Sequence, residues 1–128
     1  MTGEKVNGCL VLDHKDLEVY KRSELFVSEI YKLTSDFPEA EKDGLISQLR
    51  RAAVSVPTNI SEGSSRKSTK ELIQFLYISL GSISEIETLL EISRNLEILN
   101  ASNFELLNSD LESIKRMLIS LIKSLKNK

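Results

Sequence analysis

Five polar residues in the middle of the chain carry the pattern closest to a designed site. Gln48, Arg51, Ser55, Asn59 and Glu62 recur at steps of three, four, four and three. On a helix that spacing makes one continuous polar stripe. Ser, Asn and Gln favour helix less than Lys and Glu, which dominate plain solvent faces. Two readings stand side by side: a solvated face, or a hydrogen-bonded network held between helices or between subunits. Buried groups of this kind need partners, because an unpaired buried polar group costs about 1–3 kcal/mol. The next helical stretch offers Ser82 and Glu85, with Glu85 facing Arg51.

Catalytic chemistry has little to draw on. The ferritin-like use of a helical bundle needs Glu-x-x-His pairs on two helices, and the chain has one histidine, His14. Glu87 and Glu91 stand one turn apart and could share a cation, but such pairs are commoner on exposed faces. A nucleophile with a histidine base would have to use His14. His14 and the single cysteine, Cys9, stand without further ligands, a pattern more often incidental than metal-binding. No Gly-rich phosphate loop is present. The sequence therefore assigns no catalytic residue, no metal ligand and no cofactor.

Contact with nucleic acid has a better case. Arg50, Arg66 and Lys67 lie near the polar stripe, and Lys115, Arg116 and Lys123 make the last helical stretch basic. Repeated around an oligomer, a modest patch becomes multivalent. Against this, the arginines can be tied up with Glu62 and Glu85, and the C-terminal lysines suit a helix C-terminus. The formal net charge of −2 and a pI near 5.5 give no overall pull toward phosphate.

The elements that must position these residues are helices. Leu45, Leu49, Ala52, Val56 and Ile60 form one apolar face, beside the polar stripe. Pro57 removes one helical hydrogen bond and predicts a bend, and Gly63 offers an end. Before this stretch, Asp16 can cap a first helix with Leu17, Tyr20, Val27, Ile30 and Leu33 or Thr34 on one side, ended by Phe37-Pro38. Ser68 with Glu71 and Ser102 with Glu105 read as capping boxes for a third and a fourth helix. Gly81, in the middle of the third, implies a close helix crossing near Ala52 and Ala53. The fourth has a strict three–four seam, Phe104, Leu107, Leu111, Ile114, Leu118, Leu121 and Leu125. Leu106, Met117, Ile119 and Ile122 lie beyond it, a surplus that argues for a subunit interface.

The reading is an all-α, antiparallel up-down four-helix bundle with helices at about 16–36, 42–63, 69–98 and 102–126, in one domain spanning 16–128 behind a loosely held arm, 1–15. The length, 128 residues, is enough for a single domain with a real core, and 41% apolar content fits a globular chain. One cysteine excludes an intramolecular disulfide and fits a reducing cytoplasm. No apolar run approaches the ~20 residues that span a bilayer, and the N-terminus does not read as a signal peptide.

Four blocks carry a family likeness: DLEVYKRSELFVSEIYKLTSDFP from Asp16, QLRRAAVSVPTNISEG from Gln48, FLYISLGSISEIETLL from Phe75 and RMLISLIKSL from Arg116. With their spacing, the chain resembles the bacterial four-helix-bundle proteins encoded in intervening sequences of 23S ribosomal RNA genes. The resemblance implies an up-down bundle that assembles as a ring, with five subunits as the number it carries, and no assigned activity. A related branch, the accessory proteins of diversity-generating retroelements, is a basic ring that works with nucleic acid. The present chain departs from that branch in charge. The leading functional reading is a cytoplasmic, non-enzymatic scaffold whose partner is itself. An RNA- or DNA-binding accessory role is the alternative.

Overall fold

The computed structural model describes residues 4–6, 9–11, 14 and 17–127, the two strands by their backbone alone. Two short strands, β1 (Glu4–Val6) and β2 (Cys9–Val11), pair antiparallel with Glu4 opposite Val11. Four helices follow: α1 (Glu18–Thr34), α2 (Ser47–Ser64), α3 (Thr69–Asn95) and α4 (Ala101–Lys126). Each packs mainly on its sequence neighbours and α1 closes on α4, so the chain folds as an all-α up-down bundle.

The helix ends differ in detail from the expected ones. Asp16, expected as the first cap, lies outside the described residues. Leu17 occupies that position with an extended backbone and no side-chain cap. A 3-10 turn (Glu39–Glu41) and a wide π turn (Lys42–Ile46) lead into α2, which therefore starts later than 42. Ser68 caps α3 by accepting from the Glu71 amide at 3.2 Å. Asn100, not Ser102, caps α4, accepting from the Asn103 amide at 2.7 Å. Both are small oxygen-bearing residues three positions before an amide, so local pattern alone could not separate them.

The end of α3 is built by backbone geometry. Glu97 has φ of 62°, the Glu97 amide bonds Arg94 O at 2.9 Å, and the Ile98 amide bonds Ser93 O at 2.9 Å. This paired closure is a Schellman motif with a glutamate where glycine is usual. It stops α3 at Asn95 rather than 98 and directs Leu99 into the core.

Leu49, Ile60, Leu76, Ile83, Ile86 and Leu118 are fully buried at the centre of the core. In α1 the inward residues are Val19, Phe26 and Ile30, with Tyr31 left outside. In α4, Ile122 joins the core and the expected seam residue Leu121 is only half-buried. A 3.6-residue period drifts by about 20° per heptad relative to a strict three–four count, which brings Ile122 inward and turns Leu121 toward the surface.

Gly63 takes the close-approach role expected of Gly81. Gly63 does not end α2. It is buried inside it, and a Cβ there would stand 2.8 Å from Phe75 Cβ and 3.1 Å from Leu72 Cδ1. The close α2–α3 approach is at this residue. Gly81 is exposed on α3, and a Cβ there would meet nothing within 4 Å. It does not serve a crossing with Ala52 and Ala53.

Candidate functional site

The expected polar stripe runs along the outer edge of the α2–α3 pair, and its middle is a hydrogen-bonded cluster. Ser82 donates to Ser55 Oγ at 2.8 Å, and Asn59 Nδ2 donates to Ser55 Oγ at 3.0 Å and to Ser55 O at 2.8 Å. A second hydroxyl, Ser79, completes the link from a buried position, donating to Val56 O at 2.9 Å. The two inter-helix bonds form because serine is small enough for the backbones to approach. Ser79 lies on the apolar face of α3, in step with Leu76 and Ile83. Its burial inside that face, with α2 carbonyls opposite, was the available signal.

The ends of the stripe do not join the cluster. Glu62 pairs with Arg66 one turn on, at 2.7 Å. Gln48, Arg51 and Glu85 are exposed. Among the described residues, Arg51 and Glu85 form no ion pair, so the expected facing contact is not made within one chain. Every buried side-chain polar atom among the described residues has a hydrogen-bond partner, so the protomer's interior makes no polar demand on a ligand.

The basic residues are scattered and partly committed. Arg50 is a clamp between α2 and the end of α1. Its Nε donates to Thr34 Oγ1 at 2.9 Å, its Nη2 donates to Tyr31 O at 3.2 Å, and its guanidinium lies 4.5 Å from the Tyr31 ring centroid. Arg66 stacks 4.7 Å from Phe75 while paired with Glu62. Lys115 pairs with Glu87 at 3.5 Å. Lys67, Arg116 and Lys123 are exposed, on the α2–α3 connection and on α4.

Grooves lie on the other sides of the bundle. One, of about 490 Å³, runs between α1 and α4 and is lined by Leu17, Val19, Arg116, Met117, Leu121 and Ser124. A second, of about 560 Å³, lies between α1 and α2 against Leu25, Val54 and Pro57. Tyr20 borders its extension. Burial, then the hydrogen bond to Glu24 and that carboxylate's charge, raise the Tyr20 phenol above its ordinary pKa. His14, expected in the loose arm, packs edge-on to Tyr20 with centroids 4.7 Å apart. The side chain of Cys9 lies outside the described residues. Among those described, no group of three or more His, Cys, Asp or Glu residues is placed to hold a metal ion. No described helix is long and apolar enough to cross a membrane.

These features define a helical-bundle protein whose hydrogen-bonded polar cluster sits at the α2–α3 seam. The chain belongs to the 23S rRNA-intervening sequence protein family, whose model matches residues 15–120. It is similar to a crystal structure of a protein of unknown function from the S23 ribosomal protein family of Bacteroides thetaiotaomicron. The identity is 30%, the match covers 82% of this chain and 98% of that chain, and the TM-score is 0.74. No curated protein matches the chain.

Proposed function

We propose that this protein is a non-enzymatic cytoplasmic scaffold whose bundles assemble into a homo-oligomeric ring, with five subunits as the working number. One observation carries the reading. After the core is complete, large apolar side chains still face outward on all four helices, among them Leu25, Val54, Ile78, Ile92, Leu96 and Leu106. Leu25 and Val54 border one groove between α1 and α2, and contiguous outward apolar surface of this kind is the usual mark of a protein interface. The polar cluster then fixes the spacing of α2 and α3 and so the shape of the face they present.

Sedimentation of the purified protein tests this. The expected mass is a discrete multiple of the 14.4 kDa chain, constant on dilution through the micromolar range. A monomer at all concentrations overturns the reading. Because Arg50, Arg66 and Lys115 are engaged within the chain, generic RNA is expected to be shed by the oligomer at moderate salt. RNA retained at high salt would replace the scaffold reading with the nucleic-acid one.

A further inference from the structure

The groove between α1 and α4 lies at the end of the bundle where α1 begins. Leu17 and Val19 form one wall, and Met117, Ser120, Leu121 and Ser124 form the other. Its volume of about 490 Å³ has room for several side chains, and the larger lining residues are apolar.

The arm leaves the bundle at the same level. The Leu17 amide bonds His14 O at 3.1 Å, and the His14 ring packs 4.7 Å from that of Tyr20. Tyr20 is on the other side of α1, where it borders a cavity with Pro57, Thr58 and Ser61 of α2. His14 therefore pins the arm to the α2 side of α1, away from the chain's own α1–α4 groove.

Beyond His14 the arm carries the β1–β2 hairpin. Two short strands are marginal in water unless a third strand joins them or a helix lies beneath them. Among the described residues no third strand is present, and the two strands pack on each other without packing broadly on any helix. The second strand opens an apolar run, Cys9, Leu10, Val11 and Leu12. Hairpin and groove thus each lack what the other supplies.

We infer that the Cys9–Leu12 run of one copy seats in the α1–α4 groove of the next copy. The contact rests on the assembly proposed above and specifies one of its joints. In a ring whose axis follows the bundle, neighbours stand at one height, so donor and acceptor must be level. Leu17 meets that condition, since it lines the groove and also ends the arm. From His14 back to Cys9 the chain reaches at most about 17 Å, more than the roughly 8–10 Å between packed helices. Arm and groove lie on opposite sides of α1, so the joint is heterologous and repeats head to tail. The family model begins at residue 15, so the arm is outside the part this chain shares with the family.

The native Cys9, the single cysteine of the chain, provides the test. Ser120→Cys and Ser124→Cys each place a second thiol in the groove at an exposed position, and Ser84→Cys places one on α3 as a control. A disulfide forms only where the two Cα atoms come within about 7 Å. After mild oxidation with oxidised glutathione, the groove variants are expected to run on a non-reducing gel as a covalent ladder up to the full oligomer. Wild type and the control are expected to stop at the dimer that Cys9 alone permits. A second readout needs no cross-link. Removing residues 1–13, or introducing Ser120→Glu, is expected to raise the concentration at which the oligomer dissociates by roughly tenfold. The two changes together are expected to do no more than either alone, because they break one contact. A monomeric wild type overturns the assembly, and this joint with it. With an oligomeric wild type, a disulfide closed within one chain, groove variants no different from the control, or fully additive effects of the two changes overturn this joint alone.

Discussion

The α2–α3 and α1–α4 seams are both antiparallel helix pairs in one bundle, yet they are built on opposite rules. Along α2–α3 the facing residues are small: Ala52, Gly63, Ser79 and Ser82. The backbones approach until side-chain hydroxyls bond across, and a single added methyl at Gly63 would stand 2.8 Å from its neighbour. Along α1–α4 the facing residues are bulky and partly exposed, Met117 and Leu121 among them, and grooves of about 490 and 290 Å³ remain. Seam width in this bundle follows the smallest side chains in contact. It also locates rigidity: the tight pair is the frame and the loose pair is the closure.

Substitutions at the two seams should therefore separate by size of effect, read as unfolding free energy by circular dichroism at one fixed chain concentration. Ile83→Ala, in the fully buried core of the tight pair, is expected to cost about 2–5 kcal/mol. A cost under 1 kcal/mol would mean the tight seam can collapse, against its close packing. Gly63→Ala follows, at about 1–3 kcal/mol from overpacking against Phe75. A neutral result would show that α2 and α3 have room to part. Ser79→Ala removes one buried inter-helix hydrogen bond and should cost about 1 kcal/mol. Glu87→Gln, at the partly exposed pair with Lys115 on the α3–α4 side, should fall within about 0.5 kcal/mol and vanish at high salt. If it outranks Ser79→Ala, surface charge rather than close packing orders the bundle.

One further change lies outside both seams. Glu97→Gly relieves a left-handed backbone position and is expected to raise stability by up to about 1 kcal/mol.

What was legible in the sequence divides along the same physical line. Four helices, their order and most of the buried residues follow from periodicity and punctuation, because burial of one face imposes a repeat that the chain carries openly. Which of two adjacent or similar residues makes a contact does not follow. Arg50 and Arg51 differ by 100° around α2. Only the placement of α1 decides that Arg50 clamps Thr34 and Tyr31 while Arg51 stays outside. Gly63 and Gly81 look alike in a helical pattern, and the register between α2 and α3 is what separates them. The candidate cluster was half legible: Ser55, Asn59 and Ser82 come together, whereas Gln48, Arg51 and Glu85 are exposed and make no hydrogen bond to it. Glu97 carried no signal, since its backbone angle is imposed by the bonds around it.

The thin α1–α4 closure bears on how the bundle forms and opens. The other three helix pairs join neighbours in sequence, so they can zip as hairpins with short loops to close. Only α1 with α4 links the two ends of the chain, and it does so with the least packing of the four adjacent pairs. In the native protein, the amides at the start of α1 should therefore exchange with solvent at a lower opening free energy than those of α2 and α3. Opening of the molecule should then begin on that one side, with the α2–α3 seam still closed.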